Sequence, residues 1–267
     1  MIRLRSRLVL AAALALAVLG ASADAADDPR VADLVKARLV RVALDVNNPL
    51  LAYRDPLTTE MDGLTVRLAA SLAARIGVPL RALPYDKPPE IALALRDLAL
   101  DAGFLAIDPT RAVIVDFSPP LVEVDNAYLV TPGSPLREVG DLDGAGVRIA
   151  VVEGYGPDLF LTRALKRARL VRAKTLRDAV DLVITGQADV AAGHLPSLRT
   201  QALRLPGARL LEDRLIGEAY GIAVPKGKPG WLAFVTEFVE YAKASGLIQR
   251  GIDAQGLEGV RVAPRAR

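Results

Sequence analysis

Strand-like and helix-like runs alternate along nearly the whole of this chain, and that alternation constrains its fold more than any other feature. "LVRVALD" (39–45) reads as a strand. "LTVRLAASLAARIG" (64–77) then places Leu64, Leu68, Ala69, Leu72, Ala73 and Ile76 on one helical face and stops at Gly77. "VPLRALP" is a strand, "PPEIALALRDL" a helix opened by proline, and "DAGFLAI" a buried strand. Together they make a βαβαβ unit.

A second unit follows the loop signal "TPGSP" (131–135). "GVRIAVVE" is a strand, "PDLFLTRALKRA" a helix, and "ARLVRA" a strand. "TLRDAVDLVITG" is a helix with Thr175 as N-cap, Asp178 at N3 and Gly186 just past its end, before the strand "ADVAAG". Beyond residue 217 come a strand, "EAYGIAV", and a long helix, "GWLAFVTEFVEYAKASG". Its Trp231, Phe234, Val235, Phe238 and Tyr241 share one face and are expected in the core. The fold class is therefore α/β, in two lobes of about a hundred residues each. Ligands of open parallel sheets bind beyond the carboxyl ends of the strands, so a cleft between the lobes is the expected site.

The N-terminus looks like a cleavable export signal. "MIRLRSR" is a basic n-region, "LVLAAALALAVLG" an apolar stretch of 13 residues, and "ASADAA" offers cleavage after Ala23 or Ala25. The stretch is too short for a membrane anchor. Cleavage after Ala23 removes Arg3, Arg5 and Arg7 and takes the basic count from 34 to 31, against 31 acidic residues. The precursor's pI of about 9.2 therefore says nothing in favour of a nucleic-acid partner. No later run of about 18 apolar residues exists, and a soluble periplasmic protein is expected.

Cysteine is absent, which removes disulfides, thiol nucleophiles and a lipidated cysteine. With His194 as the single histidine, a multi-histidine metal site is excluded and a histidine-dependent triad would hang on one residue. Nothing in the sequence calls for a cofactor.

The stretch "DAGFLAIDPTRAVIVDFSPP" (101–120) poses the functional question. Asp108 can cap a helix whose first residue is Pro109. Arg111 then stands at N3, where a cation opposes the helix dipole. Either it pairs with Asp108 or points to water, or it joins the helix N–H groups in holding a carboxylate through its two-pronged guanidinium.

"FLAIDPTRAVIVDFSPP", "DLDGAGVRIAVVEGYG", "GQADVAAG" and "YGIAVPKG" stand here in the order seen in the bacterial solute-binding proteins of family 3. Over roughly residues 38 to 255 the chain resembles these periplasmic receptors of polar amino-acid ABC importers. The resemblance implies the type II periplasmic binding protein fold, with two hinged lobes closing on a ligand. It places 26–130 and 217–267 in lobe one and 131–216 in lobe two, with crossings near 127–131 and 213–218. It implies that Arg111 grips the ligand's carboxylate and that the turn Gly154, Tyr155 and Gly156 adds N–H donors. A monomer serving an inner-membrane ABC permease is expected, and the ligand is a small anion or zwitterion. The basic run "RALKRARLVRAK" (163–174) reads as a solvated face or as a docking surface for that permease.

The departures from the family pattern are specific. Ala106 and Asp108 stand where hydroxyl residues are usual, and His194 stands where an aspartate usually holds the ligand ammonium. A neutral imidazole cannot supply that charge, and a protonated one repels it. His194 either faces the ligand or is a loop residue packed beside Leu195. Asp108 facing the ligand amine would give up its cap. Asn48 and Leu50, in "NNPLLAY", occupy the place of an aromatic platform and suggest an aliphatic surface. Tyr85 and Tyr155, in loops with proline or glycine, are candidates for the cleft wall, and Phe104 is expected in the core. Two other classes stay open: a dehydratase-like enzyme using Glu153 or Asp108, and an accessory protein of a periplasmic dehydrogenase.

Overall fold

The computed structural model describes residues 27–55, 57–211 and 217–265; the export-signal segment, 1–25, lies outside them. In chain order the elements are α1 (Ala32–Ala37), β1 (Val40–Asp45), β2 (Tyr53–Arg54), β3 (Met61–Asp62) and α2 (Leu64–Ile76). Next come β4 (Leu80–Tyr85), α3 (Pro88–Arg96), β5 (Ala102–Ala106), α4 (Pro109–Ala112), β6 (Val115–Phe117) and β7 (Val122–Val124). The chain then forms β8 (Asn126–Val130), β9 (Arg148–Val152), α5 (Gly156–Ala164), β10 (Arg169–Ala173) and α6 (Leu176–Ile184). It ends with β11 (Val190–His194), α7 (Leu195–Ala202), β12 (Arg209–Leu211), β13 (Glu218–Pro225), α8 (Pro229–Ala244), α9 (Leu247–Gln255) and β14 (Val260–Val262).

Two main sheets give two lobes. The first is seven-stranded, in the order β14-β7-β13-β5-β1-β4 with β6 also on β13. β1 lies parallel to β4 and β5, whereas β13 runs antiparallel to β5, β6 and β7. The second is five-stranded, β10-β9-β11-β8-β12, with β9 parallel to β10 and β11. β8 alone runs against the others, antiparallel to both β11 and β12.

The sequence placed 126–130 in lobe one, but β8 pairs with β11 and β12 and so belongs to the second sheet. The chain therefore passes between the sheets at Asp125, directly after β7, rather than over 127–131. An apolar run such as "AYLV" suits either sheet, and only the strand partner decides. The other expected crossing, 213–218, falls mostly on residues outside the description.

Each sheet is covered on both faces. Val40, Val42 and Leu44 of β1 meet α2, α8 and α9 through Leu68, Leu72, Phe238 and Ile252. Ala43, on the other face, meets α3 through Ile91 and Leu95. Strand alternation explains this split, because successive side chains point to opposite faces. The second sheet has the same two-sided cover. α6 opens with the expected capping box of Thr175 and Asp178, and α2 closes on Gly77, whose φ of 82° suits a residue without Cβ. Trp231, Phe234 and Phe238 are buried as read, but Tyr241 is half exposed and lies beneath the Arg75 guanidinium, 4.8 Å from its ring centre.

Phe238 is wholly buried among these helices. Phe238→Ala is expected to cost about 3–5 kcal/mol of stability by leaving a cavity. Urea denaturation checks this, and a loss below about 1 kcal/mol would show that the core collapses around the gap.

Candidate functional site

The carboxyl ends of the parallel strands in the two sheets face one another. From lobe one they bring Asp45 (β1) and Ala106 (β5), and from lobe two Val152 (β9) and His194 (β11). The loops beyond these ends carry Asn48, Arg111 and the turn 154–156. Contacts across the gap show the lobes closed on each other.

Arg111 is turned inward and only 5% exposed. Its Nη1 donates to the Ala106 carbonyl at 2.8 Å and its Nη2 to the Gly154 carbonyl at 2.7 Å, so one guanidinium touches both lobes. Among the described residues no carboxylate lies within ion-pair distance of it. Asp108, one candidate partner, is engaged elsewhere: it accepts from the Thr110 N–H at 2.8 Å as the expected cap, and it pairs with Arg163 of lobe two at 2.8 Å. Burial alone would raise the Asp108 carboxyl, but the bonds from Thr110 and Arg163 outweigh it and hold it below its ordinary value. A buried guanidinium that meets carbonyls but no paired carboxylate favours an anion beside it.

Opposite stands Asp45, which sequence reasoning missed. Its Oδ1 accepts from the Tyr155 hydroxyl at 3.1 Å and from the Asn47 N–H at 3.1 Å. Burial pushes its carboxyl up to about 6, against the pull of those bonds and of the nearby positive charge of Arg111. Burial and the Asp45 charge together push the Tyr155 hydroxyl well above its ordinary value.

His194 meets a second missed carboxylate. Its Nε2 lies 2.9 Å from Glu218 Oε2 and 3.2 Å from the Tyr220 hydroxyl. Asn48 Nδ2 reaches the same hydroxyl at 3.4 Å. Tyr220 is fully enclosed, and burial raises its hydroxyl far above the ordinary value. Glu218 and Tyr220 lie two residues apart on β13 and so share a face of it, which meets His194 at the end of β11. The readable signal was positional: Asp45 ends a parallel strand, and Glu218 starts the strand that returns to lobe one.

Of the residues singled out in the sequence, Arg111, Ala106, Asp108, Asn48, Gly154, Tyr155, Gly156 and His194 converge on the inter-lobe surface. Two do not. Leu50 lies in the lobe-one core, and Tyr85 packs on the cluster of Ala43 and Ile91. The glycine turn also differs from expectation. The Gly154 N–H is taken by Asp158 at 2.9 Å and the Tyr155 N–H by the Val152 carbonyl at 3.2 Å, so these two do not offer donors to the cleft. What the turn presents is the Gly154 carbonyl, to Arg111. Glu153 is exposed and stands 3.9 Å from Lys87.

Two spaces adjoin this cluster. A cleft of about 440 Å³ is lined by Asn47, Asn48, Tyr155, Lys174, Arg177 and His194, among others. A smaller cavity of about 200 Å³ lies towards the crossing segments, bounded by Ala106, Asp108, Asn126, Gly156, Arg163 and Glu218. Among the described residues, no cluster of three or more His, Asp or Glu is placed to hold a metal ion, and no helix is long and apolar enough to cross a membrane.

Known proteins match this architecture. The sequence model of the bacterial extracellular solute-binding proteins, family 3, matches residues 40–254. An L-arginine-binding protein of Pseudomonas aeruginosa is 23% identical over 251 residues, covering 90% of this chain and 92% of the relative. Among solved structures, a mutant of ArgBP from T. maritima superposes with a TM-score of 0.73 at 23% identity, over 86% of this chain and 100% of that one. An ancestral amino-acid-binding protein described as a precursor of cyclohexadienyl dehydratase gives 0.70 at 23% identity, over 84% and 97%.

Proposed function

The chain belongs to the bacterial extracellular solute-binding proteins, family 3, and from that premise we propose that it captures a small carboxylate-bearing solute between its lobes and hands it to an ABC importer. The observation that carries this reading is Arg111, buried between the lobes with no carboxylate partner among the described residues. A bound carboxylate accepts from the guanidinium in two-pronged fashion and supplies the missing charge. The solute touches both lobes only when they are closed, so it favours the closed state by its differential affinity. Moving the balance from mostly open to mostly closed takes about 5.5 kcal/mol, within reach of a sealed carboxylate–guanidinium pair with further hydrogen bonds. The solute is an amino acid or a related organic anion, a reading supported by the names of the arginine- and amino-acid-binding relatives. The protein acts after export to the periplasm, as a monomer that docks on an inner-membrane permease.

Native mass spectrometry of the purified mature protein tests this reading. A co-purified carboxylate, or uptake of an added one in calorimetry, is the expected result. An adduct without any acidic group contradicts it.

Gly156 gives a second check. A Cβ there would stand 1.7 Å from Glu218 Oε1, so a larger residue must push that carboxylate aside for the lobes to close as they do here. Gly156→Ala is expected to force Glu218 off His194 and to weaken solute binding at least tenfold in calorimetry, with the melting temperature little changed. Wild-type affinity would mean that the carboxylate swings aside freely.

One observation favours a different reading, an enzyme. Asp45, buried where it meets Tyr155 of the other lobe and with its carboxyl pushed up to about 6 by that burial, is suited to proton transfer. Recovering the bound solute unchanged after long incubation supports the receptor; conversion to a product supports the enzyme.

A further inference from the structure

Glu218 Oε2 is engaged by His194, but Glu218 Oε1 is buried and, among the described residues, has no hydrogen-bond partner. The side chain is 8% exposed, so water in bulk does not satisfy that oxygen. Asn126 Oδ1 is also buried and unpartnered, and both residues line the same cavity of about 200 Å³. Two orphaned acceptors on one cavity are costly unless something donates to them, and for a carboxylate the cost is larger than for a neutral group. The chemistry asked for is a donor, and beside a carboxylate a positively charged one. We propose that this cavity is a second polar subsite, in which Glu218 receives a cationic hydrogen-bond donor of the bound solute, an ammonium or guanidinium.

The subsite lies next to Arg111 but is separate from it. Ala106, whose carbonyl holds the Arg111 Nη1, forms part of the cavity wall. A solute with its carboxylate on the guanidinium can therefore send a nearby cation under Glu218. The volume falls below the roughly 300 Å³ at which whole-ligand pockets begin, which suits one polar end of a solute. Other charges around the cavity are already matched: Asp108 is paired with Arg163. Glu218 also resolves the puzzle set by His194, because the negative charge absent from position 194 stands 2.9 Å from it, on the opposite lobe. A cation bound there touches a lobe-one carboxylate beside a lobe-two imidazole, so its presence favours closure.

The inference rests on the receptor reading, and the test separates the two. Calorimetry is run with L-arginine, L-lysine and L-glutamine, and with cation-free carboxylates of matched length: hexanoate for the first two and glutaramate for the third. The wild type is expected to bind at least one amino acid tenfold or more tighter than its cation-free match. Glu218→Gln, which keeps the shape and one acceptor, is expected to remove that preference, the amino acid losing at least tenfold more affinity than its cation-free match. Glu218→Asp, which keeps the charge, should restore part of it. Circular dichroism melts of both variants establish that they are folded. If Glu218→Gln keeps the full preference, or if the wild type shows none, the subsite is overturned while the receptor reading stands. If Arg111→Gln binds every probe as the wild type does, or the wild type binds none, the receptor reading falls and the subsite with it.

Discussion

Arg111→Gln is expected to weaken solute capture by at least a hundredfold while the empty protein still folds. Charge-assisted hydrogen bonds contribute about 1.5–3 kcal/mol each, and removing one partner of a buried pair costs about 3–5 kcal/mol. That range corresponds to roughly 10²- to 10⁴-fold in affinity. In the empty protein the same substitution deletes a buried charge that faces the Ala106 and Gly154 carbonyls without a carboxylate partner. A glutamine amide can still donate to a carbonyl, so little stability should be lost. Calorimetry reads the affinity and a thermal melt reads the fold. Retained affinity would remove the anchor of the account.

The second large effect is expected at Asp45. Burial raises its carboxyl from 3.8 to about 6, so the ionised form is disfavoured in the native state. The shift of roughly two units corresponds to about 3 kcal/mol of destabilisation when the group is ionised. The sign follows from proton binding. Above about pH 6 both native and unfolded states are ionised and the full cost is present. As pH falls from about 6 towards 3.8 the native state takes up its proton first, and the cost is relieved. Asp45→Asn keeps an acceptor for the Tyr155 hydroxyl and the Asn47 N–H but carries no charge. It should therefore stabilise the empty protein by up to about 3 kcal/mol at pH 7.5, with the gain shrinking towards pH 4. Urea denaturation at several pH values decides the matter. Equal stability of variant and wild type at pH 7.5 would show that Asp45 is better solvated than its burial implies.

The fold was legible because its signals are local. Gly77 stops α2, Thr175 and Asp178 cap α6, and the faces of α2 and α8 follow from helical spacing. Tyr241 was misjudged because it sits at the margin of an apolar stripe, where a neighbouring Arg75 suits the ring as well as a core does. The lobe boundary at β8 was not legible, since strand partners far along the chain decide which sheet an apolar run joins.

The site was half legible. Arg111 stood out as a cation where the helix dipole disfavours one. His194 stood out as a missing negative charge. The residues that answer them, Asp45, Glu218 and Tyr220, carry no local signature. Glu218 lies 24 positions from His194, and only the closing of two sheets brings them to 2.9 Å. Tyr85 and Leu50 show the converse, since a suggestive loop context did not keep them from the cores of lobe one.

The most direct measurement is a crystal structure of the mature protein with its solute bound. A carboxylate of that solute is expected between the lobes, with its oxygens about 3 Å from the Arg111 guanidinium. A solute seated elsewhere, with Arg111 still holding only the Ala106 and Gly154 carbonyls, would contradict it.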